Sequence, residues 1–210
     1  MQQSIHSAPL ALKNIIAGED VDFFIKSKRD QPAKPFYFLL MFGFIWFAFT
    51  SIFIAAFFGP LFFGNEINFT SNGQPVTASF DNYEPLIFPA IVNGLFVLLG
   101  LAFIGSGIAS LLKKGSYYVG TEKRLLKYKN GEYSSYNWDQ FTGNIHVHTK
   151  STNGSLQLEL RTGSMRSRKN KPSQYVPHTL YISGILNATK IEHKCSLRIK
   201  ENDPMLAMVV

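Results

Sequence analysis

Two uncharged runs dominate the hydrophobic pattern of the chain. Phe36 to Phe63 is 28 residues without Asp, Glu, Lys, Arg or His, and Leu86 to Leu112 is a second run without them. A helix needs about 20 apolar residues to cross the hydrocarbon core of a bilayer. Each run therefore predicts a spanning helix, at about 36–63 and 86–112, the first with length to spare for tilt. A helix buried in a water-soluble domain would be shorter and would show a polar edge. Pro85 and Pro89 fall in the first turn of the second run, where proline is tolerated. In the intervening loop, 64–85, Asn72-Gly73 is a turn signal, and Val76, Ala78 and Phe80 alternate with polar residues, so a small hairpin is expected.

Beyond Lys113 the period falls to two. Tyr117–Val119, Arg124–Lys129, Tyr133–Asp139, Ile145–His148, Leu156–Leu160 and Leu180–Ile185 read as strands, with Asn130-Gly131 and Asn153-Gly154 as hairpin turns. Trp138 is the expected core anchor. Met165 to Ser173 reads as a basic loop. Asn187 is placed to cap a helix with the apolar stripe Ala188, Ile191, Cys195 and Ile199. The alternation Cys195, Leu197, Ile199 leaves a terminal strand open over 188–200, and the helix is the preferred reading.

Ahead of the first run, residues 1–35 read as a leader. Its apolar cluster Leu10, Leu12, Ile15 and Ile16 is broken by Gly18-Glu19-Asp20, and Pro32 and Pro35 stop regular structure. The first strongly apolar segment begins at Phe36, is too long for a cleaved signal, and reads as an uncleaved anchor. The expected organisation is a leader (1–35), a two-helix transmembrane hairpin (36–112) and a C-terminal β domain (113–210).

Small residues suggest how the helices meet. Ser51, Ala55 and Gly59 recur every four residues, and Ala90 and Gly94 stand at the same depth on the second run. Such stripes let backbones approach closely. They fit an antiparallel hairpin and equally a dimer.

Charge fixes an orientation. Lys26, Lys28, Arg29 and Lys34 precede the first run, no Lys or Arg lies between the runs, and Lys113 and Lys114 follow the second. By the positive-inside rule both termini are cytoplasmic and the loop is outside. These basic residues are a topology signal, or also a contact with anionic headgroups. Residues 113–210 hold 16 Lys and Arg against seven Asp and Glu, a net +9, so the +7 of the whole chain comes from this region. The densest part is Arg166, Arg168, Lys169 and Lys171, read as an anionic-lipid contact or as a solvated loop. No nucleic-acid motif accompanies this charge.

Candidate chemistry is sparse. G-x-S-x-G, the P-loop, H-E-x-x-H and the dinucleotide fingerprint are all absent. The single Cys195 excludes an intramolecular disulfide and a cysteine zinc cage, and its place in the apolar stripe reads as packing. His146 and His148 share a strand face and with His178 would make only a thin metal site. Asp139 reads as a turn residue. No acidic residue lies inside a span, and Asn93 is the one strongly polar side chain there, suited to a helix–helix hydrogen bond or to lining a site. The expectation is a protein that is not an enzyme and has no catalytic residue, cofactor or metal. Its expected partners are the lipid bilayer and other membrane proteins or copies of itself, with no nucleic acid and no small-molecule substrate.

One local pattern is more specific. Tyr117-Tyr118-Val119-Gly120-Thr121-Glu122-Lys123-Arg124-Leu125-Leu126 runs an aromatic strand through a Thr-x-x-Arg turn into an aliphatic strand. Gly131, Trp138 and Phe141 follow, and Ile182 to Ala188 leads a last strand into a helix. With Gly18-Glu19-Asp20 upstream, this resembles the bacterial pleckstrin-homology families. The resemblance covers roughly 115–201. It implies an α+β membrane protein: an antiparallel transmembrane hairpin followed by a small antiparallel β-barrel or sandwich closed by a C-terminal helix. It further implies a binding or scaffolding module on the cytoplasmic face of a bacterial inner membrane. The short loop Gly120–Lys123, with a glutamate in it, departs from the pattern of phosphoinositide-binding relatives. The alternative function is an accessory subunit of a transport or channel complex, with Asn93 as its polar contact.

Overall fold

The computed structural model describes residues 8–150, 153–168 and 171–204. The fold is α+β, with two long apolar helices and antiparallel sheets. The chain divides into two compact units. One joins residues 8–32 to 114–204, and the other is Ala33–Lys113.

In the first unit, helix α1 (Leu10–Ile15) leads into strand β1 (Val21–Lys26). The chain then leaves for the second unit, which contains α2 (Lys34–Phe62), strands β2 (Ile67–Ser71) and β3 (Gln74–Ala78), and α3 (Ile87–Leu112). It returns as β4 (Tyr117–Thr121), β5 (Arg124–Lys129) and β6 (Glu132–Asn137). Strands β7 (Phe141–Lys150), β8 (Asn153–Arg168) and β9 (Lys171–Leu186) follow, and α4 (Ala188–Glu201) ends the fold.

Of the expected leader 1–35, residues 8–32 are therefore not separate but part of the C-terminal unit. Strand β1 lies antiparallel on β4, with Phe24 opposite Val119 and Lys26 opposite Tyr117, and it is the edge of a sheet ordered β1-β4-β5-β6. Period-two reading misses it because β1 is buried on both faces. Phe23 and Ile25 enter one core with Tyr118, Leu125 and Trp138, while Phe24 enters another with Leu12, Val119 and Leu126. Helix α1 supplies Leu12 to that second core, so it covers the sheet face turned away from the first.

The first core also takes Leu156, Leu158, Leu180 and Ile182 from the sheet β7-β8-β9, and Ile191, Cys195 and Ile199 from α4. The two sheets share a core and stay separate ladders, linked by one isolated bridge between Arg29 and Ser183, so the described strands form no closed barrel. The segment after Asn187 is a helix. Its buried residues are Ala188, Ile191, Cys195 and Ile199, spaced to share one face. Asn187 does not cap it with its side chain and instead turns the chain in the left-handed region (φ 54°).

Two further expectations change. Asn153 and Gly154 are not a turn. They pair with Lys150 and Thr149 inside the ladder, and residues 151–152 lie outside the described residues. Met165–Ser173 is mostly not a loop, because β8 and β9 continue as a hairpin with Met165 opposite Tyr175 and Arg168 opposite Lys171. This arm is held by its backbone ladder beyond the core, so apolar periodicity gave no sign of it.

In the second unit α2 and α3 pack antiparallel, with Leu40 against Gly107, Gly43 against Ile104 and Trp46 against Gly100. A β-carbon on Gly107 would come within 2.7 Å of the Leu40 side chain, so the contact depends on glycine. Trp46 Nε1 donates to the carbonyl of Phe96 at 3.0 Å. The expected small-residue seam is not the contact. Ser51, Ala55, Ala90 and Gly94 are exposed, and open space surrounds the β-carbon positions of Gly59 and Gly94. The hairpin β2–β3 turns at Asn72-Gly73 as expected and packs Ile67 and Ala78 against Leu61 and Leu86.

The interrupted domain makes a direct prediction. Residues 113–210 expressed alone lose Leu12, Ile16, Phe23, Phe24 and Ile25, each worth about 2 kcal/mol of burial. That sum matches the whole stability of an ordinary domain, so the fragment should be unfolded or insoluble. Joining residues 8–32 to 114–204 through a short Gly–Ser linker in place of 33–113 should restore a cooperative thermal transition by circular dichroism.

Candidate functional site: the strand junction and the basic cleft

The point where the chain leaves β1 and returns to β4 is closely tied. Ser27 N–H donates to Ser116 O at 2.9 Å, which extends the β1–β4 ladder to the edge of the insertion. Residues 28 and 29 also bridge to the other sheet. Lys28 N–H donates to Ser183 O at 2.7 Å, and Ser183 N–H donates to Arg29 O at 3.1 Å.

Asp30 locks the junction. Its Oδ2 accepts from Ser116 Oγ at 2.6 Å and from Lys129 Nζ at 2.9 Å. Its Oδ1 accepts from Ser116 N–H and Ser27 Oγ, both at 2.9 Å, with Tyr118 Oη at 3.3 Å. Burial alone would raise the pKa of this carboxyl. The hydrogen bonds from Ser116, Lys129 and Ser27 outweigh burial and hold it at about 2, below its ordinary 3.8. Burial pushes the Tyr118 hydroxyl up, and the facing Asp30 charge adds to the effect.

Two more acidic residues fasten the leader. Glu19 accepts from Arg124 Nε at 3.0 Å and from Thr121 Oγ1 at 2.8 Å, and pairs with the Arg124 guanidinium. The Arg124 bond lowers its pKa. The Thr-x-x-Arg turn and the Gly18-Glu19-Asp20 segment, far apart in sequence, are thus one contact. Asp22 takes a two-pronged bond from Arg198 of α4, at 2.7 and 2.9 Å, which raises the pKa of that guanidinium.

Beside the junction is a cleft of about 920 Å³, within the usual range for ligand sites. Its apolar lining includes Phe24, Ile25, Ile185 and Ile191. Four lysines reach it: Lys26 and Lys28 from the end of β1, Lys114 before β4, and Lys190 from the first turn of α4. Among the described residues no Asp or Glu lines it. All four lysines are exposed and none is in an ion pair among the described residues, although the Lys26 ammonium lies 4.9 Å from the Tyr117 ring centre. Gly184, at φ +68°, lets the Lys28 stem lie across it, because a β-carbon there would sit 2.7 Å from three Lys28 carbons.

The sequence-derived basic residues therefore separate. Lys26, Lys28 and Lys114 meet in the cleft. Arg29 lends its backbone to the bridge with Ser183, while Lys34 and Lys113 are exposed residues of the second unit, both at the open end of the helix pair. Arg166 is exposed on β8, Arg168 and Lys171 are opposed across the arm, and Lys169 lies outside the described residues. Sequence reasoning missed Lys190, which looks like one more solvated position on α4. It also missed Asp30, which reads as a stray acid in a basic stretch.

Other candidates resolve simply. Cys195 is fully buried, and burial pushes its thiol pKa up, the opposite of a reactive thiolate. His146, His148 and His178 are exposed, and among the described residues no three His, Cys, Asp or Glu side chains are grouped to hold a metal. Asn93 donates to the Pro89 carbonyl of its own helix at 2.9 Å. Comparisons of the chain with protein-family models, curated proteins and solved structures found no match.

The lowered pKa of Asp30 gives stability that is complete above its unfolded pKa, near 4, and is lost as pH falls toward about 2. The shift corresponds to about 2 kcal/mol. Asp30→Asn should lower stability by about that amount at pH 7 and flatten the acid loss between pH 4 and 2. Thermal unfolding of the full chain in detergent, followed by Trp138 fluorescence in a Trp46→Phe background, checks both.

Proposed function

We propose that this is a two-span protein of a bacterial inner membrane, with both termini cytoplasmic. In this reading it presents the α+β unit as a binding or scaffolding module with no chemistry of its own. The carrying observation is the surface of α2 and α3. Both helices are long and apolar enough to cross a membrane, with mean hydropathy 2.3 and 2.4 over their best windows, yet only 11% and 6% of those windows are buried. Phe38, Phe44, Ile52, Phe88 and Leu98 all point outward. Such a surface needs an apolar solvent, and a lipid bilayer is one.

The pleckstrin-homology resemblance supports the module half of the reading. The strand-to-helix order of the unit agrees with it, in an open sandwich form. The Thr121–Arg124 turn on which the resemblance rests is held by the acidic segment that accompanies it. Contact with anionic lipid is part of the proposal, through the cleft lysines and through Arg166 on the β8–β9 arm. The transport alternative gains nothing from Asn93, whose amide is engaged within its own helix.

Labelling tests the topology. In a Cys195→Ala background, Ser71→Cys should react with a membrane-impermeant maleimide in intact spheroplasts, and Lys123→Cys only after lysis. The reverse pattern, or labelling of both before lysis, would remove the proposed orientation.

A further inference from the structure

We propose that the cleft formed by Lys26, Lys28, Lys114 and Lys190 is a binding site for a doubly charged phosphate group. The lipid form of this inference, a phosphomonoester headgroup, rests on the membrane reading above. The free-phosphate form does not.

Three observations converge on this ligand. The first is uncompensated charge. Four lysines line one cleft, and no Asp or Glu among the described residues lines it. The nearby acids are committed elsewhere, Asp22 to Arg198, Asp30 to Lys129 and Ser116, and Glu19 to Arg124. The neighbouring lysines Lys127 and Lys129, by contrast, face Asp30 at 3.9 and 2.9 Å. Lysines held together without counter-charge repel one another, and a polyvalent anion removes that cost.

The second observation is the donor set. Asn187 gives α4 no side-chain cap; Lys190 and Ile191 donate to Asn187 O, and the N–H groups of Ala188 and Thr189 are left without intrahelical partners at the end of the helix that favours anions. Lys190 stands in that turn. A phosphate accepts from several such donors at once, which a single carboxylate does less well.

The third is shape. Beside the lysines run Phe24, Ile25, Ile185 and Ile191, an apolar wall that suits the uncharged stem of a phosphate ester. Chain connectivity supplies the location. Lys114 is two residues past the end of α3 at Leu112, so about 7 Å of extended chain separates them. If Leu112 ends at the membrane interface, Lys114 is at headgroup level.

The test uses the full chain in nanodiscs. One set contains phosphatidylcholine alone, a second adds phosphatidic acid, and a third adds phosphatidylglycerol, whose phosphodiester carries one charge. Retained lipid is counted by native mass spectrometry. Inorganic phosphate is titrated by calorimetry into the phosphatidylcholine discs. Lys28→Ala/Lys190→Ala is compared with Lys123→Ala/Lys200→Ala, which removes the same charge outside the cleft, and with Lys28→Arg/Lys190→Arg. Circular dichroism confirms that each variant is folded. At about a fivefold loss per lysine, the cleft variant should bind roughly twentyfold more weakly, the outside variant should keep its affinity, and the arginine variant should bind.

Preferential retention of phosphatidic acid, lost in the cleft variant, supports a lipid headgroup. Saturable binding of inorganic phosphate, lost in the same variant, supports a free phosphate. Equal loss in the cleft and outside variants, or no preference in any arm, overturns the proposal. Carbonate extraction of native membranes reports separately on the membrane reading, because a chain released by carbonate removes the spans and leaves the phosphate arm standing.

Discussion

The pairing of β1 with β4 is the constraint on which the rest depends. These strands are neighbours in one sheet, yet the whole helix pair lies between them in the chain. Closing a loop of that length costs roughly 4 kcal/mol of chain entropy if the loop is flexible. The insertion is not flexible. Helices α2 and α3 are antiparallel and meet near their open ends, Leu40 against Gly107, so the insertion delivers its two ends close together. The ladder from Phe24 opposite Val119 to the Ser27–Ser116 bond then closes with little further ordering. The hydrogen bonds of Asp30 to both Ser27 and Ser116 fix where that ladder stops and the insertion begins.

The hydrophobic and ionic contacts of the leader do different work. Phe23, Phe24 and Ile25 hold β1 in place by burial, because half-exposed ion pairs contribute at most about 1 kcal/mol each. Glu19 on Arg124, Asp22 on Arg198 and Asp30 on Lys129 instead set which residues face one another. Asp30 is the exception in energy. It is only 10% exposed and carries its charge on several donors, so removing it would strand those donors as well as a lysine.

What could be read from the sequence follows the range of each signal. The two apolar helices, the turns at Asn72-Gly73 and Asn130-Gly131, the anchor Trp138 and the stripe Ala188, Ile191, Cys195, Ile199 are all local patterns, and each is where periodicity puts it. Strand β1 was not legible, because three consecutive buried residues, Phe23, Phe24 and Ile25, do not alternate and their partner lies some ninety residues away. The helix seam misled for a different reason. Ser51, Ala55 and Gly59 show which face another helix could approach, whereas Gly43, Gly100 and Gly107 are the positions approached, and only large partners such as Leu40, Trp46 and Ile104 decide between them. The site was half legible. Lys26, Lys28 and Lys114 stand out beside the apolar runs, but Lys190 joins them only because α4 begins at the end of β9.

That placement carries a consequence for charge. A short acidic set in the leader, Glu19, Asp22 and Asp30, is used to bind residues 124, 198 and 129 of the returning chain. Each pair neutralises a cation that would otherwise stand on the surface of the unit. The lysines of the same leader stretch, Lys26 and Lys28, have no acidic partner among the described residues and are brought beside Lys114 and Lys190. Folding therefore does not dilute the positive charge of this chain. It pairs Arg124, Arg198 and Lys129 with acids of the leader and gathers four other lysines in one cleft, while Lys123, Arg166 and Lys200 stay exposed elsewhere. A uniform basic surface would attract any anion weakly and fall off with salt. The proposed phosphate site would instead select by charge density and shape.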